Sequence, residues 1–287
     1  MANFIKQGNR ITPLPKGYAY ELEPGKVYDL LIKTVWGERV TKFELNGEMN
    51  LPPTVYQIKK DKLFIDRVLK NFNSSDKNTT GVLLTGDKGT GKSVTAKILA
   101  EKAKLPIIVI NPELEEKYLE EFFKEFDTPV CILFDEVDKN FSTQKMLTFL
   151  DGMHKTAKKL VIMTANDEDN LSSYIKNRCS RIRYYRHYNM KDDAKEYAEL
   201  ICEAKGIENK DEVVSFIVNN INYPSIDNIS SFIDEVIFTK GWSLSLKEVL
   251  EFMNINVGEQ DNPINISEKE QVLDIDLEDP CICLSNS

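Results

Sequence analysis

The sequence predicts an α/β protein: a parallel sheet with helices on both faces, preceded by a short β-rich N-terminal unit and followed by a small all-α domain. Three observations carry that expectation. The apolar runs Val82–Thr85, Ile107–Ile110, Cys131–Phe134 and Val161–Thr164 alternate with stretches of helical spacing, and strands separated by helices of ~10–15 residues imply parallel crossover connections. From Asn189 the pattern turns wholly helical. Between the two, Gly81-Val-Leu-Leu-Thr-Gly-Asp-Lys-Gly-Thr-Gly-Lys-Ser-Val94 is an apolar strand that enters a glycine-rich turn and leaves as a helix.

Taken in order, residues 1–55 read as the β-rich unit. Lys26–Thr34 and Val40–Leu45 are β-prone, Asn46-Gly47 is a turn signal, and Pro13, Pro15, Pro24, Pro52 and Pro53 punctuate the segment. Trp36 and the tyrosines are expected to form its small core. Residues 56–188 form the α/β core. Asp61–Phe72 reads as a helix behind an Asp61 cap, with Leu63, Phe64, Arg67, Val68 and Phe72 at helical spacing. The polar stretch 73–80 leads into the strand at Val82. Pro106–Asn111, Val130–Asp135, Leu160–Asn166 and Arg181–Tyr185 supply further strands, and Leu114–Phe126 and Ser142–His154 supply helices. Residues 189–256 hold four helices: Met190–Lys205 ended by Gly206, Lys210–Asn220, Ser225–Lys240 ended by Gly241, and Ser245–Asn254. Residues 257–287 are acidic, lack periodicity and read as a disordered tail.

Composition narrows the function classes. The formal net charge is −9, but eight acidic residues and one lysine lie from Glu259 onward, so the remaining body is near −2. A nearly neutral body gives no electrostatic case for or against nucleic acid. No apolar run approaches the roughly 18 residues of a membrane span, and the N-terminus lacks an apolar leader core. Both features point to a cytoplasmic protein without a membrane partner. The five cysteines include Cys131, Cys179 and Cys202 without metal-like spacing and are expected to be reduced thiols. With His154 and His187 the only histidines, a zinc site or a His-based triad has little to work with. Cys283 is fifth from the end, which misses the prenylation pattern by one residue.

The chemistry centres on Gly86–Ser93, which fits G-x-x-x-x-G-K-[ST], the phosphate-binding P-loop. Gly86, Gly89 and Gly91 allow backbone angles that let successive N–H groups curl around an anion, and the helix beyond points its positive end at the same place. The nucleotide cradle is thus Gly86, Asp87, Lys88, Gly89, Thr90, Gly91, Lys92, Ser93 and Val94. Lys92 would reach the β- and γ-phosphates, and Ser93 would ligate Mg²⁺. About 40 residues on, the apolar run Cys131–Phe134 ends in Asp135-Glu136. Asp135 could hold Mg²⁺ through its water shell, and Glu136 could polarise a water for in-line attack. Asn166, ending the Val161–Ala165 strand, offers both donor and acceptor to that water, although a strand-terminal turn Asn has the same local sequence. Arg178 and Arg181 could project a guanidinium into a neighbouring subunit's phosphate site, or form an ordinary exposed basic turn.

Together these four pieces resemble an AAA+ ATPase, with Walker A at Gly86–Ser93, Walker B at Ile132–Glu136, sensor 1 at Asn166 and arginine fingers at Arg178 and Arg181. Leu147-Thr-Phe-Leu-Asp-Gly152 makes the AAA clade proper the most similar branch. The resemblance covers residues 60–255. It implies a P-loop sheet with a helical lid, ATP and Mg²⁺ as cofactors, and a homo-oligomeric ring, usually hexameric, with active sites between subunits. It also implies ATP hydrolysis coupled to remodelling of a macromolecular partner. Arg178-Cys-Ser-Arg181 departs from the family's Arg-Pro-Gly-Arg, and its Asn177-Arg-Cys179 also resembles the Ser-Arg-Cys of clamp loaders. No aromatic-apolar-Gly pore loop lies between Asn111 and Phe126; Tyr118 is the nearest candidate, with helix packing the plainer account. Residues 223–230 contain no arginine for a sensor-2 role. A nucleic-acid motor or loader, or an ATP-gated scaffold with little turnover, would use the same ATP-site residues. A P-loop kinase would leave Asn166 and the paired arginines without a role.

Overall fold

The computed structural model describes residues 4–7, 10–13, 21–35, 38–75, 79–112, 114, 116–142, 146, 149, 150, 157–167, 171 and 182–255. Strands β1 (Phe4–Gln7) and β2 (Arg10–Pro13) form a two-stranded antiparallel ribbon. The main sheet has seven strands: β3 (Lys26–Val35), β4 (Glu38–Glu48), β5 (Thr79–Gly86), β6 (Ile107–Val109), β7 (Val130–Phe134), β8 (Lys159–Ala165) and β9 (Ile182–Tyr188). Their spatial order is β4-β3-β6-β7-β8-β5-β9, parallel throughout except for the β3–β4 pair. Strands β5, β7 and β8 are buried along their whole lengths, which explains their nearly continuous apolar sequences.

Helices cover both faces, as expected. On one face α1 (Lys59–Ser74) and α2 (Lys92–Lys102) bury Ile65, Val68, Phe72, Ile98 and Leu99 against Val82, Leu84 and Ile162. On the other, α3 (Glu116–Glu125) and α4 (Val137–Asn140) pack Leu119, Phe123 and Val137 on Leu83, Ile132 and Phe134. Tyr118 packs, half-buried, against this second layer. The described part of the helical domain comprises α5 (Met190–Lys205), α6 (Lys210–Asn220), α7 (Ile226–Phe238) and α8 (Leu246–Glu251). Its ends follow local chemistry. Gly206 stops α5 in the left-handed region, Ser225 caps α7, and Ser245 with Glu248 forms a capping box on α8.

Three local expectations need correction. Strands β3 and β4 do not stand apart from the core: β3 pairs in parallel with β6, so residues 26–48 extend the main sheet at one edge. The pairing is long-range, and β-prone composition says nothing about partner. Asn46-Gly47 is not a hairpin turn. It is a bulge inside β4, where Val27 faces Gly47 and Tyr28 faces Leu45, with Gly47 at φ 95° and Asn46 Nδ2 donating to Asp29 Oδ2 at 2.7 Å.

The third correction concerns Asp61, which is not the cap of α1. Ile58 holds that position, and Asp61 lies inside the first turn, 1% exposed. Its carboxylate accepts from Arg186 Nε at 2.8 Å and from the Tyr197 hydroxyl at 2.5 Å. Burial, and the Asp61 carboxylate it bonds, push the Tyr197 hydroxyl up, so it stays the donor. Asp193 of α5 also reaches Arg186, at 3.5 Å, and Lys60 at 3.2 Å. The main-chain N–H of Lys59 donates to Glu196 of α5 at 2.8 Å. A buried ionic cluster therefore joins α1, β9 and the first helix of the helical domain.

The candidate nucleotide site

The loop between β5 and α2 lies at the C-terminal end of the central strands, where ligands of open α/β sheets bind. Gly86 (φ 134°) needs its missing side chain, because a Cβ there would meet the Tyr188 carbonyl at 2.5 Å. At Gly91 (φ 91°) a Cβ would approach Ile226 Cδ1 to 2.9 Å. The tip of Ile226 thus lies over this glycine, and the Ile226 N–H donates to the Gly89 carbonyl at 3.0 Å.

Lys92 is 5% exposed and donates to the carbonyls of Gly86 (2.6 Å) and Asp87 (2.5 Å). Burial pulls its ammonium below the usual lysine range, partly offset by Asp87, Asp138, Asp135 and Glu136. A phosphate group beside it would supply the missing anionic partner. Ser93 Oγ lies 3.2 Å from Asp135 Oδ1. A hydroxyl and a carboxylate oxygen are a hard donor set that fits Mg²⁺, which takes few protein ligands and completes its shell with water and phosphate. Among the described residues no group of three or more His, Cys, Asp or Glu could hold a metal by itself.

Glu136 and Asn166, 30 residues apart in sequence, come together: Asn166 Nδ2 donates to Glu136 Oε1 at 2.6 Å. Lys139 reaches the same oxygen at 3.0 Å. The hydrogen bonds from Lys139 and then Asn166 hold the Glu136 carboxyl below its ordinary range, so it is ionised at neutral pH. The Glu136 backbone is left-handed (φ 50°, ψ 54°), a costly conformation for a residue with a side chain. It is fixed from both sides, its N–H bonded to Thr164 Oγ1 at 3.0 Å and its carbonyl accepting from Lys139 and Asn140 N–H groups at 3.1 Å.

Three residues that brace or line this site escaped the sequence reading. Thr164 donates its hydroxyl to Asp135 Oδ1 while accepting from Glu136 N–H, so one side chain orients both carboxylates. The signal was available as a lone hydroxyl in the otherwise apolar Leu160–Ala165 run. Thr164→Val keeps the shape and removes both bonds. Turnover is expected to fall about tenfold or more, with nucleotide affinity changed less, as measured by phosphate release and calorimetry. Asp138 accepts from the N–H groups of Asn166 (3.2 Å) and Asp167 (3.1 Å) and so fixes the loop that carries Asn166. Gln57 lies on the wall of the cavity itself. That cavity, about 580 Å³, is bounded by Pro52–Gln57, Lys88–Thr95, Glu136, Asn166 and, from the helical domain, residues such as Tyr197, Lys205, Ile226 and Asp234. Arg178 and Arg181 lie outside the described residues.

Residues 82–187 match the model of the family described as ATPase family associated with various cellular activities (AAA). This part of the chain is similar to the AAA+ P-loop ATPases. Among curated proteins it is 28% identical over 139 residues to the ATP-dependent zinc metalloprotease YME1L of Drosophila melanogaster, a match covering 40% of this chain and 19% of that one. The ATP-dependent zinc metalloprotease FtsH of Heterosigma akashiwo is 31% identical over 119 residues, covering 32% and 18%. An ORC1-type DNA replication protein of Thermoplasma acidophilum is 28% identical over 109 residues, covering 37% and 30%. The chain thus spans under a third of the length of these relatives. Among solved structures, one from a study of katanin self-assembly has a TM-score of 0.44 at 16% identity, covering 69% of this chain and 74% of that one. Thermotoga maritima RuvB has a TM-score of 0.48 at 16% identity, covering 67% and 66%. No helix among the described residues is long and apolar enough to cross a membrane.

Proposed function

We propose that the chain is a Mg²⁺-dependent ATPase whose turnover moves the helical lid against the α/β core and so remodels a macromolecular partner. The observation that carries this reading is the cluster of Ser93, Asp135, Thr164, Glu136 and Asn166 beside the P-loop, with α7 bonded directly to that loop. Lys92 and the loop N–H groups would bind the phosphates, and Ser93 and Asp135 would hold Mg²⁺, which would neutralise phosphate charge when bound. Glu136 would accept a hydrogen bond from the attacking water, with Asn166 fixing the carboxylate. A protein partner is the leading reading because YME1L and FtsH are named ATP-dependent metalloproteases. The likeness to an ORC1-type DNA replication protein supports a nucleic-acid partner as the second reading.

We further propose a homo-oligomeric ring in which Arg178 or Arg181 completes a neighbour's site. A trans arginine is worth ~10³–10⁵ in rate, so isolated subunits should be very poor catalysts. Specific activity is expected to rise with protein concentration, and mixing Arg178→Ala with Glu136→Gln to restore part of the activity that each lacks alone. Activity independent of concentration and unaffected by Arg178→Ala would remove the shared site.

A further inference from the structure

We propose that the acidic tail docks back on its own core, residues 273–278 adding as a strand beside β9 in the groove between that strand and α1. Strand β9 closes the main sheet at the end opposite β4, and no strand lies beyond it among the described residues. Proteins generally cover or interrupt such edges, because a β-prone edge accepts a further strand. Strand β9 carries Tyr184-Tyr185 and no proline. Beside it runs a groove of about 360 Å³ whose other wall is the α1 stripe Lys60, Leu63, Phe64 and Arg67. That spacing is one helix face, distinct from the face that buries Ile65, Val68 and Phe72 against the sheet. Leu63 is 59% exposed and Tyr185 42%, so large apolar surface borders the groove. Lys60 and Arg67 flank Leu63 and Phe64 along the stripe, and no acidic residue lines the groove among the described residues.

The two faces of β9 set what an added strand must carry. Tyr184 and Arg186 turn toward α1, where the Tyr184 ring meets Phe64 edge-on at 6.3 Å and Arg186 bonds Asp61. Arg183, Tyr185 and His187 alternate with them and are exposed. A strand beside β9 therefore places alternate residues against Leu63 and Phe64, where apolar side chains fit, and the others alongside Arg183, where acids fit. Leu273-Asp-Ile-Asp-Leu-Glu278 alternates in this way, with Leu273, Ile275 and Leu277 on one face and Asp274, Asp276 and Glu278 on the other. Charge is complementary, since the tail from Glu259 holds eight acids and one lysine while the groove presents Lys60 and Arg67. Length also suffices. Residues 256–272 link Ile255, the last described residue, to Leu273. Extended, this linker spans about 55 Å, comparable with the diameter of a folded chain of this size. A tethered segment acts at an effective concentration on the order of mM, which favours it over a free peptide of the same pattern.

The test is amide hydrogen exchange along β9 in the full chain without nucleotide, for wild type, Ile275→Asp and Leu63→Asp. In wild type the β9 amides that do not face β5 are expected to be protected, equally at low and high protein concentration. Each variant puts a charge into the apolar half of the proposed contact, one from the tail and one from the groove. Both should speed exchange of those amides about tenfold or more, while the amides of β5 exchange as in wild type. Leu63 is exposed, so its replacement leaves the core packing in place. Fast exchange of these amides in wild type, or protection that Ile275→Asp does not change, would overturn the docking. Exchange that rises equally in β5 would overturn it too, by showing a general loss of stability. Protection that appears only at high protein concentration would overturn self-docking and give the groove to the tail of a second copy.

Discussion

Replacing Glu136 by Gln is expected to reduce Mg²⁺-ATP turnover by about 10²-fold or more while leaving ATP binding near the wild-type level. The substitution keeps the side chain's volume, and Asn166 Nδ2 can still donate to the remaining amide oxygen. What it removes is the negative charge that Lys139 and Asn166 keep ionised at neutral pH. The contacts of the groups proposed to bind the nucleotide, Lys92 with the P-loop and the Ser93–Asp135 pair, do not involve the Glu136 side chain and are kept. Phosphate release gives the first quantity and calorimetric binding the second. A variant that turns over within a few-fold of wild type would assign the attacking water to another group. A variant that also loses binding would make Glu136 a structural rather than a chemical residue.

Asp61→Ala is expected to cost about 3–5 kcal/mol of stability, the range for stranding one partner of a buried ion pair. Arg186 is 5% exposed and stacks over the Tyr188 ring at 4.4 Å, so it has no route to water when its main counter-ion goes. Asp193 remains 3.5 Å away but is shared with Lys60. The Tyr197 hydroxyl loses its acceptor at the same time. Asp61→Asn, which keeps an acceptor and loses the charge, should cost less. Urea unfolding measures both. Because Tyr197 also lines the nucleotide cavity, Asp61→Ala should weaken ATP binding as well as the fold. A loss below about 1 kcal/mol would mean that Asp193 alone can neutralise Arg186, and that the junction between core and helical domain does not depend on this cluster.

The parts of the site that could be read from the sequence are those whose residue types recur at fixed offsets along one element. Gly86–Ser93 is such a case, since the turn, the helix start and the lysine are all local. Asp135-Glu136 and Asn166 were readable because each ends an apolar run, and strand ends in a parallel sheet converge on one edge. Thr164 and Asp138 were not, because their roles are hydrogen bonds between the end of β7, α4 and the end of β8, across 28 to 29 residues of sequence. Gln57 sits in a segment of irregular structure, where a lone polar residue looks like any solvated one. Asp61 carried a misleading local signal: an acid near a helix start reads as a cap, and only the fold brings Arg186 and Tyr197 to it from 125 and 136 residues away. The same limit governs β3 and β4. Their strand character was local and visible, but their partner β6 lies about 80 residues downstream.

The most direct test of the account is phosphate release from Mg²⁺-ATP by the full chain, measured beside Lys92→Ala and beside wild type with the metal chelated. Among the described residues, buried Lys92 has only the Gly86 and Asp87 carbonyls as hydrogen-bond partners, which leaves phosphate as its proposed counter-ion. The predicted result is turnover by wild type that both Lys92→Ala and chelation abolish. Turnover that survives in Lys92→Ala, or a wild type that neither binds nor hydrolyses ATP at any concentration, would contradict it.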